Sequence, residues 1–210
     1  QKSAYTARIT NDSFGIEPTL HYAAMYSAAF FEKNIDTLIE TGKKALPAGS
    51  RFAKIVDHVK SLYRQYPDNW QKAREIIAKN YYVQEDYNKH AWAPIDANLN
   101  GALGIMALLY GQGDFQRTLD YSCAFGMDAD NQAATMCGLL GIIHGPGAIP
   151  DDLLFPLEGA GWDKPFNDIY KMVTREGLPD ARISDMAQRM ARQGEKVIVA
   201  NGGKIKKKNN

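Results

Sequence analysis

Cysteine is scarce: Cys123 and Cys137 are the only two in 210 residues. A zinc site would need more ligands clustered beside them, which the sequence lacks. Both fall in helical patterns and are expected to be buried thiols. Free thiols lean toward a reducing compartment, the cytoplasm, with the periplasm left open. Net charge is small as well, +1 from 25 basic and 24 acidic residues, so no broad field recommends nucleic acid or a membrane surface as partner. No apolar run approaches bilayer length, and no signal-like segment or initiator Met opens the chain. The four histidines, His21, His58, His90 and His144, are scattered and belong to no Ser-His-Asp or Cys-His signature. Gly145-Pro-Gly147 is too short for a phosphate loop. What remains is a globular chain, 45% apolar and 23% charged, long enough for a substantial core.

Helical periodicity dominates. The segment 1–14 is polar and expected to be extended; Gly15 to Phe31 then reads as a helix apolar nearly all round, hence buried, with Pro18 in its first turn. Asn34 can cap a second helix. Ser50 opens the clearest one, with Phe52, Ile55, Val56, Val59, Leu62 and Tyr63 at i, i+3, i+4, i+7 spacing. Asp68 with Gln71 has capping-box spacing for a helix from Trp70. Residues 81–97, carrying Tyr82, Tyr87, His90 and Trp92, form a long aromatic irregular stretch, either a rim of a cleft or a plug sealing the bundle.

Asn100 to Tyr110 has almost no polar side chain and is expected to be a buried helix, followed by a turn and an Asp114 cap. Phe166, Ile169, Tyr170 and Val173 suggest an amphipathic helix, and Ile183, Met186, Ala187 and Met190 another. Lys196-Val-Ile-Val-Ala200 is strand-like and Asn201-Gly-Gly203 a hairpin signal. The expectation is an all-α, orthogonal multi-helix bundle over residues 1–195, with a tail or the start of a β-hairpin over 196–210. Lys206-Lys-Lys208 reads as a solubilising tail.

The chain is organised around Phe125 to Pro150. Asp128 and Asp130 stand just after Gly126, at the start of a run, Ala129 to His144, rich in small residues: Ala133, Ala134, Gly138 and Gly141. Small residues at helical spacing let a neighbour approach closely, so this helix and Asn100–Tyr110 are expected side by side. Two carboxylates on a turn, with Asn131 as a third oxygen, suit a hard cation such as Mg²⁺. They equally suit a helix N-terminus, whose dipole favours acidic caps; on spacing both readings stay open. An EF-hand loop is excluded, because its sixth and twelfth positions would be Ala133 and Leu139.

Three stretches resemble the ADP-ribosylglycohydrolase family. Gly126-Met-Asp-Ala-Asp-Asn-Gln-Ala-Ala-Thr135, with Gly145-Pro-Gly-Ala-Ile-Pro150 behind it, is similar to the family's C-terminal metal motif. Asn100-Gly-Ala-Leu-Gly-Ile-Met-Ala-Leu-Leu-Tyr-Gly-Gln-Gly-Asp-Phe115 is similar to its L-L-Y-G-x-G-D-F segment, and Ala7 to Gly15 resembles the stretch before its long apolar helix. The resemblance spans residues 7–155. Asn11 stands where many members have His, and Asn131 where Ser or Thr is common. The family's acidic D-D-T motif has no counterpart here.

The resemblance implies a Mg²⁺-dependent hydrolase of an N- or O-glycosidic bond to ADP-ribose, with a binuclear metal site. Asp128, Asp130 and Asn131 would be metal ligands, and Asn11, Asp12, Asn100 and Gly126 would lie on the substrate side. The general base, and a partner segment completing the bundle, are expected in an N-terminal part preceding Gln1. Two alternatives stand beside this: a related glycosidase acting on another ribosyl or sugar glycoside, motivated by Asn11 and Asn131, and a non-catalytic scaffold.

Overall fold

A computed structural model of the protein describes residues 2–82, 95–154, 168–171 and 177–205. Ten α-helices are defined among them: α1 (Lys2–Ala7), α2 (Glu17–Ala28), α3 (Ile35–Lys44), α4 (Arg51–Gln65), α5 (Trp70–Tyr81), α6 (Ala97–Gly111), α7 (Phe115–Phe125), α8 (Ala129–His144), α9 (Asp151–Leu154) and α10 (Ile183–Ala200). The protein is all-α; among the described residues the strands form one antiparallel pair, β1 (Ile169–Tyr170) and β2 (Ala181–Arg182), in register Ile169↔Arg182. Contacts divide the chain into two compact units, Gln1–Pro150 and Asp151–Asn210.

In the first unit, α6 is the axis. Every residue of α6 except Ala97 and Asn100 is buried. Helices α2, α3, α4, α5, α7 and α8 all pack on it, as a helix apolar on every face requires. The expected burial of Asn100–Tyr110 therefore holds, and α8 lies against it. Helix starts follow cap chemistry. Asn34 Oδ1 accepts the Thr37 N–H at 2.9 Å, Ser50 Oγ the Ala53 N–H at 3.0 Å, Asp96 Oδ1 the Leu99 N–H at 2.8 Å and Asp114 Oδ1 the Arg117 N–H at 2.8 Å. Glu17 Oε2 reinforces the start of α4 by accepting from Ser50 Oγ and the Phe52 N–H.

Where α6 meets α7 the backbones nearly touch. A Cβ on Gly111 would sit 2.1 Å from Thr118 Oγ1 and 2.9 Å from Thr118 Cα. Backbone cannot yield as a side-chain tip can. Gly111→Ala is therefore expected to cost about 1–3 kcal/mol by overpacking, read as a lowered urea midpoint at unchanged slope.

Several expectations need correction. Residues 2–7 are helical rather than extended, and α2 stops at Ala28, leaving Phe30 and Phe31 exposed instead of in the core. The cap of α5 is Asn69, whose Oδ1 accepts the Lys72 N–H at 3.0 Å, not Asp68. Cys123 is exposed; Cys137 is half-buried, and burial pushes its thiol up to about 11. The small-residue stripe of α8 is only partly covered: Gly138 makes room for the Tyr26 hydroxyl, while nothing lies within 4 Å of a Cβ on Gly141.

In the second unit Ile169–Tyr170 is a strand, not part of a helix; Phe166 and Val173 lie outside the described residues, as do Tyr87, His90, Trp92 and Lys206–Lys208. The β-pair is at β1–β2 rather than after residue 196. Helix α10 runs through Lys196–Ala200, and Asn201-Gly-Gly203 stops it. Gly202 adopts φ +81°, its N–H donates to Val199 O at 3.0 Å, and the Gly203 N–H donates to Ile198 O at 2.8 Å. That is a Schellman closure, a helix end rather than a hairpin. Asp168 ties β1 to the start of α10. It accepts from the Ser184 Oγ and N–H and from Arg182 Nε and Nη2; the Ser184 hydrogen bonds above all, and Arg182 after them, hold its carboxyl down at about 2.

Candidate active site

Beside the first turn of α6 lies a cavity of about 460 Å³. Its wall includes Asn11 from the segment after α1, Tyr22 and Tyr26 from α2, Asn100 from α6, and Asp128, Asn131, Gln132 and Thr135 from α8 and the turn before it. The two residues of α6 that are not buried, Ala97 and Asn100, both line this cavity, with the buried Gly101 beside them. Four residues chosen from the sequence, Asn11, Asn100, Asp128 and Asn131, are thus brought together from three distant stretches.

The turn into α8 is shaped by backbone geometry. Gly126 has φ +72° and Met127 φ +61°, so two successive residues sit in a region L side chains rarely enter. Asn100 clamps this turn: its Oδ1 accepts the Asp128 N–H at 3.0 Å. Gln132, one helical turn after Asp128, donates from Nε2 to the same Oδ1 at 2.6 Å and to Gly126 O at 3.1 Å. Asn100 Nδ2 donates to Asp96 O at 3.0 Å.

Asp128 begins α8, yet its side chain caps no helix N–H. Burial raises its pKa first, and the neighbouring Asp130 raises it further. No cationic side chain offsets this pair among the described residues. The capping alternative is thereby disfavoured for Asp128. Asp130 is exposed in the first turn of α8, outside the cavity lining but close enough to act on Asp128. Asn131 Oδ1 faces Thr135 Oγ1 at 3.4 Å.

Two expected substrate residues adjoin the cavity without lining it. Asp12 Oδ1 accepts the Ser13 N–H at 2.6 Å as the cap of a short 3₁₀ turn, and it does not line the cavity. Gly126 serves the turn's backbone and is not in the wall.

The sequence reading missed Tyr22, Tyr26 and Gln132. Tyr22 Oη donates to Gly101 O at 2.7 Å, and Tyr26 Oη donates to Thr135 O, so the two stitch α2 to α6 and α8. Burial raises both phenols, keeping them protonated donors at neutral pH. Their i, i+4 spacing on α2 marks a shared face, and Gln132 stands i+4 from Asp128; these were the available signals.

A family model described as ADP-ribosylglycohydrolase matches residues 1–194. The chain belongs to the ADP-ribosylglycohydrolase family. Neither curated proteins nor solved structures yield a match. Membership supports a glycosyl-hydrolase-like function on ADP-ribose-related substrates. For this ADP-ribosylglycohydrolase-family chain, the Asp128 carboxylate and Asn131 amide in the cavity wall, with the Asp130 carboxylate just outside it, are oxygen donors of the kind a hard cation takes. No group of three or more His, Cys, Asp or Glu able to hold a metal occurs among the described residues. None of the described helices is long and apolar enough to cross a membrane.

Proposed function

We propose that the chain hydrolyses an N- or O-glycosidic bond to ADP-ribose at this cavity, with Mg²⁺ held by Asp128, Asp130 and Asn131. The observation that carries the reading is Asp128. It is a carboxylate in a cavity wall that caps no helix, meets no cation among the described residues, and is raised by burial and by Asp130. When bound, the metal supplies Lewis-acid polarisation of substrate oxygens and an activated water. The chain's own groups do the rest. Asn100 and Gln132 hold the Gly126–Asp128 turn in register, and Tyr22 and Tyr26 fix the opposite wall. Asn11 and Asn131 present amide groups to the ligand.

Titration calorimetry with MgCl₂ tests this. Asp128→Ala and Asp130→Ala should each weaken binding at least about tenfold, or about 1.4 kcal/mol. Mg²⁺ should also lower the pH at which the Asp128 carboxyl titrates, because a cation favours its charged form. Unchanged Mg²⁺ affinity in Asp128→Ala would leave the pair without a metal role.

A second reading is favoured by one fact: Asn11 and Asn131, the two departures from the family pattern, both line the cavity. The substrate is then another ribosyl or sugar glycoside processed by the same groups. A panel of glycosides assayed with Mg²⁺ separates the two readings, and absence of metal-dependent turnover on any of them supports a non-catalytic scaffold.

A further inference from the structure

The hydrogen-bond network at the turn leaves one atom over. Gln132 is 3% exposed, and its Oε1 is buried with no hydrogen-bond partner among the described residues. The orientation of the amide is fixed by its neighbours. Asn100 Oδ1 must be an oxygen, because it accepts the backbone N–H of Asp128. Gly126 O is a carbonyl. The end of Gln132 that meets both must therefore be the NH₂, which has two protons to give. Oε1 is left as an acceptor without a donor, in a side chain that lines the cavity.

A buried acceptor left unsatisfied is costly, and the cost is recovered when a donor arrives. Buried polar groups built in this way also discriminate sharply, because a ligand lacking the matching donor leaves them orphaned. Asp128, Asp130 and Asn131 offer oxygens suited to a cation, whereas Gln132 Oε1 asks for an O–H or N–H. We propose that Gln132 is a specificity-determining residue of the cavity: its Oε1 accepts a hydrogen bond from a hydroxyl of the bound sugar, while its NH₂ locks Asn100 and Gly126. The assignment of that hydroxyl to the distal ribose rests on the ADP-ribose reading above; the acceptor itself does not.

The test pairs a variant with ligand analogues. ADP-ribose, and analogues each lacking one hydroxyl of the distal ribose, are titrated in MgCl₂ into wild-type protein and into Gln132→Met, which keeps the length and removes both polar atoms. In the wild type one analogue should bind about tenfold more weakly than ADP-ribose. In Gln132→Met that difference should vanish, with ADP-ribose and the analogue binding alike. A purely structural role would weaken all ligands together and keep the discrimination, and that result overturns the proposal. So does a wild type indifferent to every missing hydroxyl.

If Gln132→Met does not fold, the side-chain ¹⁵N–¹H₂ resonances of Gln132 in the wild type decide. They should shift with ADP-ribose and not with the affected analogue; equal shifts with both overturn the proposal. Failure of the wild type to bind ADP-ribose would sink the functional reading alone. Gln132 is then judged by thermal shift with free D-ribose at high millimolar concentration. A rise in Tm that Gln132→Met abolishes supports it, and no response to the sugar overturns it.

Discussion

Leu103→Asp is expected to unfold the protein. Leu103 lies at the middle of α6 with no exposed surface, and α6 is packed on by six other helices. Removing a buried leucine side chain alone costs about 2–5 kcal/mol. The carboxylate that replaces it finds no partner among the apolar neighbours, and an uncompensated buried charge adds several kcal/mol more. Domain stability is about 5–15 kcal/mol in total, so the sum removes most or all of it. Circular dichroism at 222 nm during a thermal ramp is the measurement. Loss of the cooperative transition, or recovery of the variant only in aggregates, is the expected result. A soluble variant melting within a few degrees of the wild type would show that α6 is not the axis of the fold.

Acidification should weaken the fold between about pH 6.5 and pH 4 through one residue. His21 is fully buried, its Nε2 lies 3.1 Å from Ile39 O, and its Nδ1 has no partner among the described residues. The Ile39 carbonyl assigns the single ring proton to Nε2. A second proton on Nδ1 would be a donor with nothing to meet, in a pocket walled by Tyr22 and Phe52. Burial accordingly lowers the pKa from 6.5 to about 4. Between those values the unfolded chain binds the proton and the native one does not, so stability falls as pH falls across that window. A shift of this size corresponds to about 3 kcal/mol. The other resolved groups leave the window largely clear. Glu40 and Asp168, both lowered, lose their contributions below their ordinary carboxyl values, and Asp128, raised, acts with the opposite sign. Urea denaturation at pH 7 and pH 4.5 reads the difference. His21→Gln, which keeps a donor for Ile39 O but does not titrate, should flatten most of it. An equal pH dependence in that variant would assign the effect to carboxylates instead.

The parts of this fold that were legible in the sequence are those where one strong physical preference acts alone. Gly101 to Tyr110 offers water no polar side chain but the Tyr110 phenol, so its burial followed directly. Asn34, Ser50 and Asp114 stand before periodic runs and cap them as expected. The misreadings occur where two preferences compete. Val197-Ile-Val199 favours strand locally, yet the period begun at Ile183 continues through it as an amphipathic helix, and the two glycines close that helix. Residues 2–7 carry no apolar stripe and bury only Ala7, so nothing in their pattern marks a helix. At the site, Asp128 was visible because a motif names it. Tyr22, Tyr26 and Gln132 were not, because their roles depend on which carbonyl lies across from them, and that is a property of packing.

The two walls of the cavity differ in how they can move. Asn100 stands one turn inside a helix whose later residues, through Gly111, are all buried. Backbone hydrogen bonds in such a helix open only when the whole unit unfolds, so the floor under Asp128 has no low-energy breathing motion. Asn11 stands in a short exposed stretch whose large neighbours, Tyr5, Ile9 and Phe14, are themselves turned to solvent. With few buried contacts to hold it, this wall can open locally at small cost. Any change in the shape of the cavity therefore falls to the compliant Asn11 side, while the backbone that carries Asp128 stays in place.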